Sequence, residues 1–251
     1  MEPNKNLRVS TMTLVSGISS NINLQGLYEN INRSELFRYI EFGLNPIKGE
    51  KHSKIKNPRK KKEKKFFYNQ MTIHVYKDKI VNMKVFNNGR IQMTGLKSEK
   101  QGLDIIQLFI NELKNIPQER LEEILDNLDP ERKESKIVLI NSDFDVHSKI
   151  NRDLLHRKVI EKGYFSSYEP CTYPGVNIKY YYNELDHNDG ICRCAGICNG
   201  KGHNCCKSIT IAVFNSGKII ITGGQSYEHL NVAYNFITKI INENKKDLFI
   251  E

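Results

Sequence analysis

Phe86-Asn87-Asn88-Gly89-Arg90-Ile91 returns 128 residues later as Phe214-Asn215-Ser216-Gly217-Lys218-Ile219. Three positions beyond each block stands Thr-Gly, as Thr94-Gly95 and Thr222-Gly223. A helical spacing follows each copy, with Ile105, Leu108, Phe109 and Leu113 answered by Ala233, Phe236, Ile237 and Ile241 at the same offset. Motif, spacing and helix face agree, so the chain reads as two copies of one unit. The expected division is 1–117 for the first copy, 118–135 for a linker and 136–251 for the second. Leu121, Ile124, Leu125 and Leu128 suggest a short helix within the joint.

Each unit reads as a strand, a helical stretch, several strands and a long helix, an α+β pattern. In the first unit Leu7–Leu14 is strand-like, and 24–42 is expected to hold one or two short helices. Strands are expected at 71–76, 81–86 and 91–93, with a tight turn at Asn87-Asn88-Gly89 where Asn and Gly tolerate positive φ. The second unit is expected to repeat this with strands at 136–146, 176–182, 209–214 and 218–221, and helices at 150–160 and 227–243. Period-two alternation puts Val81, Met83 and Val85 on one face and Asn82, Lys84 and Phe86 on the other. Likewise Ile209, Ile211 and Val213 oppose Ser208, Thr210, Ala212 and Phe214. The helices should cover the apolar face. The other face is small, hydroxylic or amide-bearing, yet carries one Phe at the same place in both copies. A lone exposed Phe is ordinary; its repetition favours a working residue. A wide antiparallel sheet, polar in the middle with aromatic wedges towards its ends, suits a DNA minor groove, where width and deformability are read.

The chain has 251 residues, 39% of them hydrophobic, and carries 38 Lys and Arg against 29 Asp and Glu. Ten of the basic residues and two Glu lie within Lys48–Lys65, so one segment holds eight of the nine excess charges. That segment is either a solvated or import-like loop or a phosphate-contacting arm. No apolar run approaches a membrane span, and no signal peptide is visible. There is no P-loop, nucleophile elbow, paired-carboxylate motif or H-E-x-x-H, so an enzyme is not expected.

Five of six cysteines, Cys192, Cys194, Cys198, Cys205 and Cys206, fall within 15 residues of the segment 183–207, together with His187, His203 and several glycines. The segment has almost no large apolar residues and cannot pack a core of its own. With no secretory signal, metal is favoured over disulfides, and structural Zn²⁺ over an iron–sulfur centre. Adjacent Cys205 and Cys206 rarely bind one ion together, so His203 or one of that pair is expected to give the fourth contact. The spacing is not the usual C-x2-C, and disulfides or free thiols remain alternatives.

Several segments together resemble the TATA-box-binding protein (TBP) family. Phe165-Ser166-Ser167-Tyr168-Glu169-Pro170-Cys171-Thr172-Tyr173-Pro174-Gly175 is similar to the family's FSSYEPxxFPG, and both F-x-x-G-[KR]-x-x-x-T-G blocks match. Gly95-Leu96-Lys97-Ser98-Glu99 resembles GAKSE, Val9-Ser10-Thr11 resembles IVST, and Asn57-Pro58-Arg59 before Phe66 or Phe67 resembles NPKRF with lysines inserted. The matches span nearly the whole chain in order. The resemblance implies two pseudo-symmetric repeats forming a saddle, with a continuous curved antiparallel sheet and helices on the convex face. It implies a DNA-binding role in transcription initiation, on AT-rich promoter DNA bent through the minor groove. By the same resemblance the wedges are Phe86, Phe214, Tyr173 and either Tyr68 or Phe67. Thr94, Thr222, Val9, Gln92 and Ile220 face the groove, and Arg90, Lys97 and Lys218 lie near phosphate.

Departures accompany the match. Gln92 replaces a family Val, and Gln225 stands where the second GAK has Lys. Leu7 and Leu139 fall on the two central Asn positions, with Asn6 and Asn141 close by. Asp143 falls on the groove face, where a carboxylate repels phosphate. The whole is similar to the diverged TBP-like proteins of large DNA viruses or of some protists. A monomer on DNA is expected, with a factor-IIB-like partner near Glu169–Gly175 and the RNA polymerase machinery beyond it. Location is expected in the nucleus, or in a cytoplasmic factory or virion if the source is viral. A protein-interaction platform on the same fold is the alternative reading.

Overall fold

The computed structural model describes residues 4–50, 67–183, 189–202 and 205–250. Contacts divide the chain into two compact units. One runs from Met12 to Ile137; the other runs from Val138 onward and also takes the chain up to Thr11. Residues 4–11 therefore pack with the second repeat.

The first repeat holds β1 (Arg8–Gly17), α1 (Leu24–Asn30), β2 (Phe37–Phe42), β3 (Lys48–Gly49), β4 (Gln70–Lys77), β5 (Lys79–Phe86), β6 (Arg90–Leu96), α2 (Glu99–Lys114) and α3 (Gln118–Ile124). Its strands lie in the order β3-β2-β4-β5-β6-β1, each neighbouring pair antiparallel. The second repeat holds β7 (Lys136–Asp145), β8 (Lys149–Ile150), α4 (Arg152–Glu161), β9 (Phe165–Ser167), β10 (Val176–Tyr182), β11 (Lys207–Val213), β12 (Lys218–Gly224), α5 (Tyr227–Glu243), α6 (Lys245–Leu248) and β13 (Phe249–Ile250). Its main order is β7-β12-β11-β10-β9, also antiparallel, with β8 and β13 paired apart. The stretch 24–42 holds one short helix, as expected, and in addition a strand that was not: α1 ends at Asn30, and Phe37–Phe42 pairs with β4.

The 128-residue offset extends into the local chemistry. Asn23 caps α1 through the Gly26 N–H, and Asn151 caps α4 through the Leu154 N–H. Ser98 caps α2 and Ser226 caps α5 in the same manner. The Ile18 N–H donates to the Gly89 carbonyl and the Val146 N–H to that of Gly217. Between paired positions of β6 and β1, and again of β12 and β7, the register slips at Gly95 and Gly223, both with φ of +94°. The Thr-Gly of each block is thus a β-bulge that needs a residue free to take positive φ.

One stretch breaks the offset. Met71 lies opposite Val85 and Val176 opposite Val213, so β4 and β10 are 105 apart (176 less 71), or 23 fewer than 128. The caps Asn23 and Asn151 keep the 128 offset, so the first repeat has 23 extra residues between α1 and β4, and the second has 23 extra between β10 and β11. The first of these lengths contains the basic segment and the second the cysteines.

In each repeat the helices cover the apolar face of the strands. A Cβ placed on Gly102 of α2 would stand 3.0–3.4 Å from Leu96, Leu14 and Met93. In the second repeat Phe236 of α5 packs edge-on to Tyr180 at 5.2 Å, and Tyr234 to Phe144 at 4.8 Å. Val81, Met83, Val85, Ile91 and Met93 are fully buried, as are Ile209, Ile211, Val213, Ile219 and Ile221.

Candidate nucleic-acid interface and metal centre

The opposite face of each sheet is free of the helices that bury the apolar one. Directly paired residues share a face, so it can be read in rows. In the first repeat one row runs Val15, Gln92, Lys84, Thr72 and the next runs Thr13, Thr94, Asn82, His74. In the second repeat the corresponding rows run Asp143, Ile220, Ala212, Asn177 and then Thr222, Thr210, Lys179. Phe86 and Phe214 end β5 and follow β11 at equivalent positions, both half-buried.

Phe214 meets Tyr173 edge-on, with ring centroids 5.8 Å apart. Gly175 lies beneath both rings; a Cβ there would be 2.8 Å from Tyr173 and 3.2 Å from Phe214. In the first repeat Tyr68 leans on Gly43, while Phe67 and Tyr68 are exposed by more than half. Thr94, Thr222, Val9 and Gln92 are half-buried, and Arg90, Lys97, Lys218 and Ile220 are exposed. Lys179 Nζ donates to Thr210 Oγ1 at 2.6 Å. The Thr222 hydroxyl donates to the Asn141 side-chain oxygen, which puts Asn141 beside Thr222.

Two sequence concerns change in the structure. Leu7 is buried at 7% exposure, and its neighbours Asn4 and Asn6 bond to Asn231 and Tyr234 of α5. Asp143 is not a bare carboxylate: Arg8 grips it with Nε and Nη2 at 2.8–3.3 Å, and the Ser10 hydroxyl donates to it. Burial pushes the Asp143 pKa up, but the hydrogen bonds from Ser10 and Arg8, with the charges of Arg8 and Lys218, hold it below the ordinary carboxylate value. The repulsion expected towards phosphate is thereby offset by a guanidinium. No sequence pattern points to a pair 135 residues apart.

The basic segment lies outside the described residues except for Lys48 to Glu50. Lys48 itself turns inward, donating to the Tyr28 and Ile31 carbonyls at 2.6 and 2.8 Å.

At the far end of β10 and β11 the cysteine segment folds back on the sheet. The Tyr181 N–H donates to the Gly190 carbonyl at 3.0 Å, and the Ser208 N–H to that of Gly200 at 2.9 Å. These anchors bring Cys192, Cys194, Cys198 and Cys206 together, with all four sulfurs within 4.8 Å of one another. A tetrahedral thiolate site with Zn–S near 2.3 Å has sulfurs roughly 3.8 Å apart; those of Cys194 and Cys206 are 3.5 Å apart. Cys205 is not in the group, its Sγ lying 3.0 Å from Asn199 Oδ1. His187 and His203 are outside the described residues. Burial pushes the Cys206 thiol up to about 12 and the Cys198 thiol up to about 11. An all-sulfur, four-donor set with no open position suits a closed structural site for a thiophilic ion.

Comparison with known proteins agrees with this architecture. Residues 134–244 match the family model for transcription factor TFIID, or TATA-binding protein, TBP. A "TATA-box-binding protein-like" protein of Acanthamoeba polyphaga mimivirus is 29% identical over 265 aligned residues, covering 98% of this chain and 67% of that protein. Methanococcus jannaschii TBP superposes with a TM-score of 0.57 at 20% identity, covering 95% of this chain and 99% of that one. The fold is α+β and TBP-like, and the family-model match falls on the second repeat.

Proposed function

We propose that the chain binds double-stranded, AT-rich promoter DNA through the minor groove, bends it, and nucleates transcription initiation. The observation that carries this reading is the repetition of Phe86 with Thr94 and of Phe214 with Thr222 on helix-free sheet faces. A shallow groove with little base-specific code favours such a surface. Aromatic wedges meet the cost of unstacking by opening the groove to more contact. Arg90, Lys97 and Lys218 supply phosphate contacts around it. Electrophoretic shift and bend-angle measurements on AT-rich and GC-rich duplexes test the reading; equal binding without bending would overturn it. The competing role of a protein-interaction platform draws on Asp143, and the Arg8 ion pair weakens that argument.

A factor-IIB-like protein would dock near the turn Glu169–Gly175. There Glu169 accepts from the Thr172 and Tyr173 N–H groups at 2.9 Å, and Cys171 is exposed. Cys192, Cys194, Cys198 and Cys206 would hold one structural Zn²⁺, which would supply folding free energy to a loop without a core. Metal analysis of reduced protein should give one equivalent of zinc; a metal-free protein with the same loop structure would overturn this assignment.

A further inference from the structure

Set side by side at the 128-residue offset, the two open faces agree at the Phe and at the Thr and disagree between them. In the first repeat the intervening cross-strand pair is Lys84 with Gln92; in the second it is Ala212 with Ile220. Both pairs hold the same place, one row from the Phe and one row from the Thr. One is a long cation beside an amide, and the other is a methyl beside a branched hydrocarbon.

We propose that these pairs read the base pairs beside their wedges differently: Ala212–Ile220 requires A·T, whereas Lys84–Gln92 admits G·C. The proposal rests on the minor-groove reading given above. In that groove A·T and T·A offer acceptors only, and G·C adds the guanine amino donor. Ile220 is 36% exposed and presents no acceptor. A guanine amino group against it loses water and gains no partner, a cost borne by any buried unsatisfied donor. Ala212, a single methyl at 4% exposure, adds no polar partner, so Ile220 carries the discrimination. Gln92 has a carbonyl oxygen that can accept from the guanine amino group, and Lys84 can donate to the purine N3 or pyrimidine O2. Thr94 and Thr222 are alike and cannot discriminate. The next row adds to the contrast, with Asn82 in the first repeat against Thr210 in the second.

The consequence is directional. An element with G·C at one end is bound with the first repeat on that end, while an element with G·C at both ends has no good orientation. The test uses the full chain and three duplexes that differ only at the two outer steps: all A·T, G·C at one end, and G·C at both. The one-end duplex should bind within about threefold of the all-A·T duplex. The two-end duplex should bind about tenfold or more weakly, the usual scale for one wrong base pair. Ile220→Gln, at an exposed position, should recover much of the two-end loss, and Ala212→Lys with Ile220→Gln more of it. Lys84→Ala with Gln92→Ile should make one G·C end as costly as two. Equal stepwise losses for the first and second G·C end, or variants that leave the pattern unchanged while melting normally, would overturn the proposal. Failure to bind even the all-A·T duplex would instead overturn the proposed function.

Discussion

Replacing Phe214 by Ala separates a wedge from a core residue by magnitude. A fully buried Phe→Ala change costs about 3–5 kcal/mol. Phe109 of α2, 0% exposed and edge-on to Phe37, is such a residue in this chain. Phe214 is only half-buried, so part of its area already faces water. It also loses one edge-on partner, Tyr173, worth about 0.5–1.5 kcal/mol. The expected cost is about 2 kcal/mol for Phe214→Ala, and similar for Phe86→Ala. At roughly 2–4 °C per kcal/mol for a chain of this size, that lowers the melting temperature by about 4–8 °C, against about 6–20 °C for Phe109→Ala. Functional losses should run the other way. Phe86→Ala and Phe214→Ala should lose most of the DNA bend and at least tenfold in affinity, most in the double variant, because an unstacked step is no longer held open. Calorimetry and fluorescence-based bend angles measure both. Phe214→Ala melting as early as Phe109→Ala, yet bending DNA normally while folded, would show that the helix-free face is not the working face.

Three further outcomes follow from local geometry. Gly89→Ala should destabilise far more than Gly163→Ala by denaturant titration. Both have positive φ, but a Cβ on Gly89 would lie 2.1 Å from the Ser20 carbonyl while nothing stands within 4 Å of Gly163; the open site should cost about 1 kcal/mol. Asp143→Asn should raise DNA affinity and steepen the salt dependence by about 0.9, since it frees Arg8 for one phosphate. The depressed Asp143 pKa means that its ion pair stabilises the wild type above the unfolded carboxylate value and is lost as pH falls through the folded one. The variant should therefore lose less stability than wild type in acid. Neutralising Lys60, Lys61, Lys62, Lys64 and Lys65 should flatten the salt dependence of binding and leave the bend angle unchanged.

The parts of the fold legible in the sequence are those that obey a short period. Alternation along 81–86 and 209–214 agrees with the buried faces, and the tight turn expected at Asn87-Asn88-Gly89 is present. Phe37–Phe42 was harder because Leu36, Phe37, Tyr39 and Ile40 break alternation and mimic a helical stripe. What makes it a strand is its pairing with β4, some thirty residues away, a non-local term that propensity does not contain. At the site, the repeated Phe and Thr were visible, whereas the Arg8–Asp143 pair was not. The adjacent pair Cys205-Cys206 illustrates a finer limit. Spacing says that one of two neighbours binds, and only the course of the backbone shows that Cys206 faces Cys194 while Cys205 turns to Asn199.

The constancy of the 128-residue offset is itself a product of two additions of equal net length, one between α1 and β4 and one between β10 and β11. Neither breaks the pairing of the strands it separates: β2 and β4 keep five pairs, and β10 and β11 keep seven pairs despite the cysteine segment between them. A segment that leaves its flanking ladder intact adds little to the core around it. Of the cysteines only Cys206 is buried, while Ile191 and Ile197 are exposed, so the segment depends on its four thiols rather than on apolar burial. Stripping the proposed ion should therefore disorder 183–207 locally and leave the main transition in place. Hydrogen exchange should rise at Tyr181 and Ser208, whose N–H groups are held by Gly190 and Gly200. Exchange at Ile211 and Ile221, fully buried under α5, should not change. A chelator that lowers the main melting temperature by more than about 5 °C would mean that the sulfur cluster carries part of the second repeat's core stability and that the insertion has become integral to the fold.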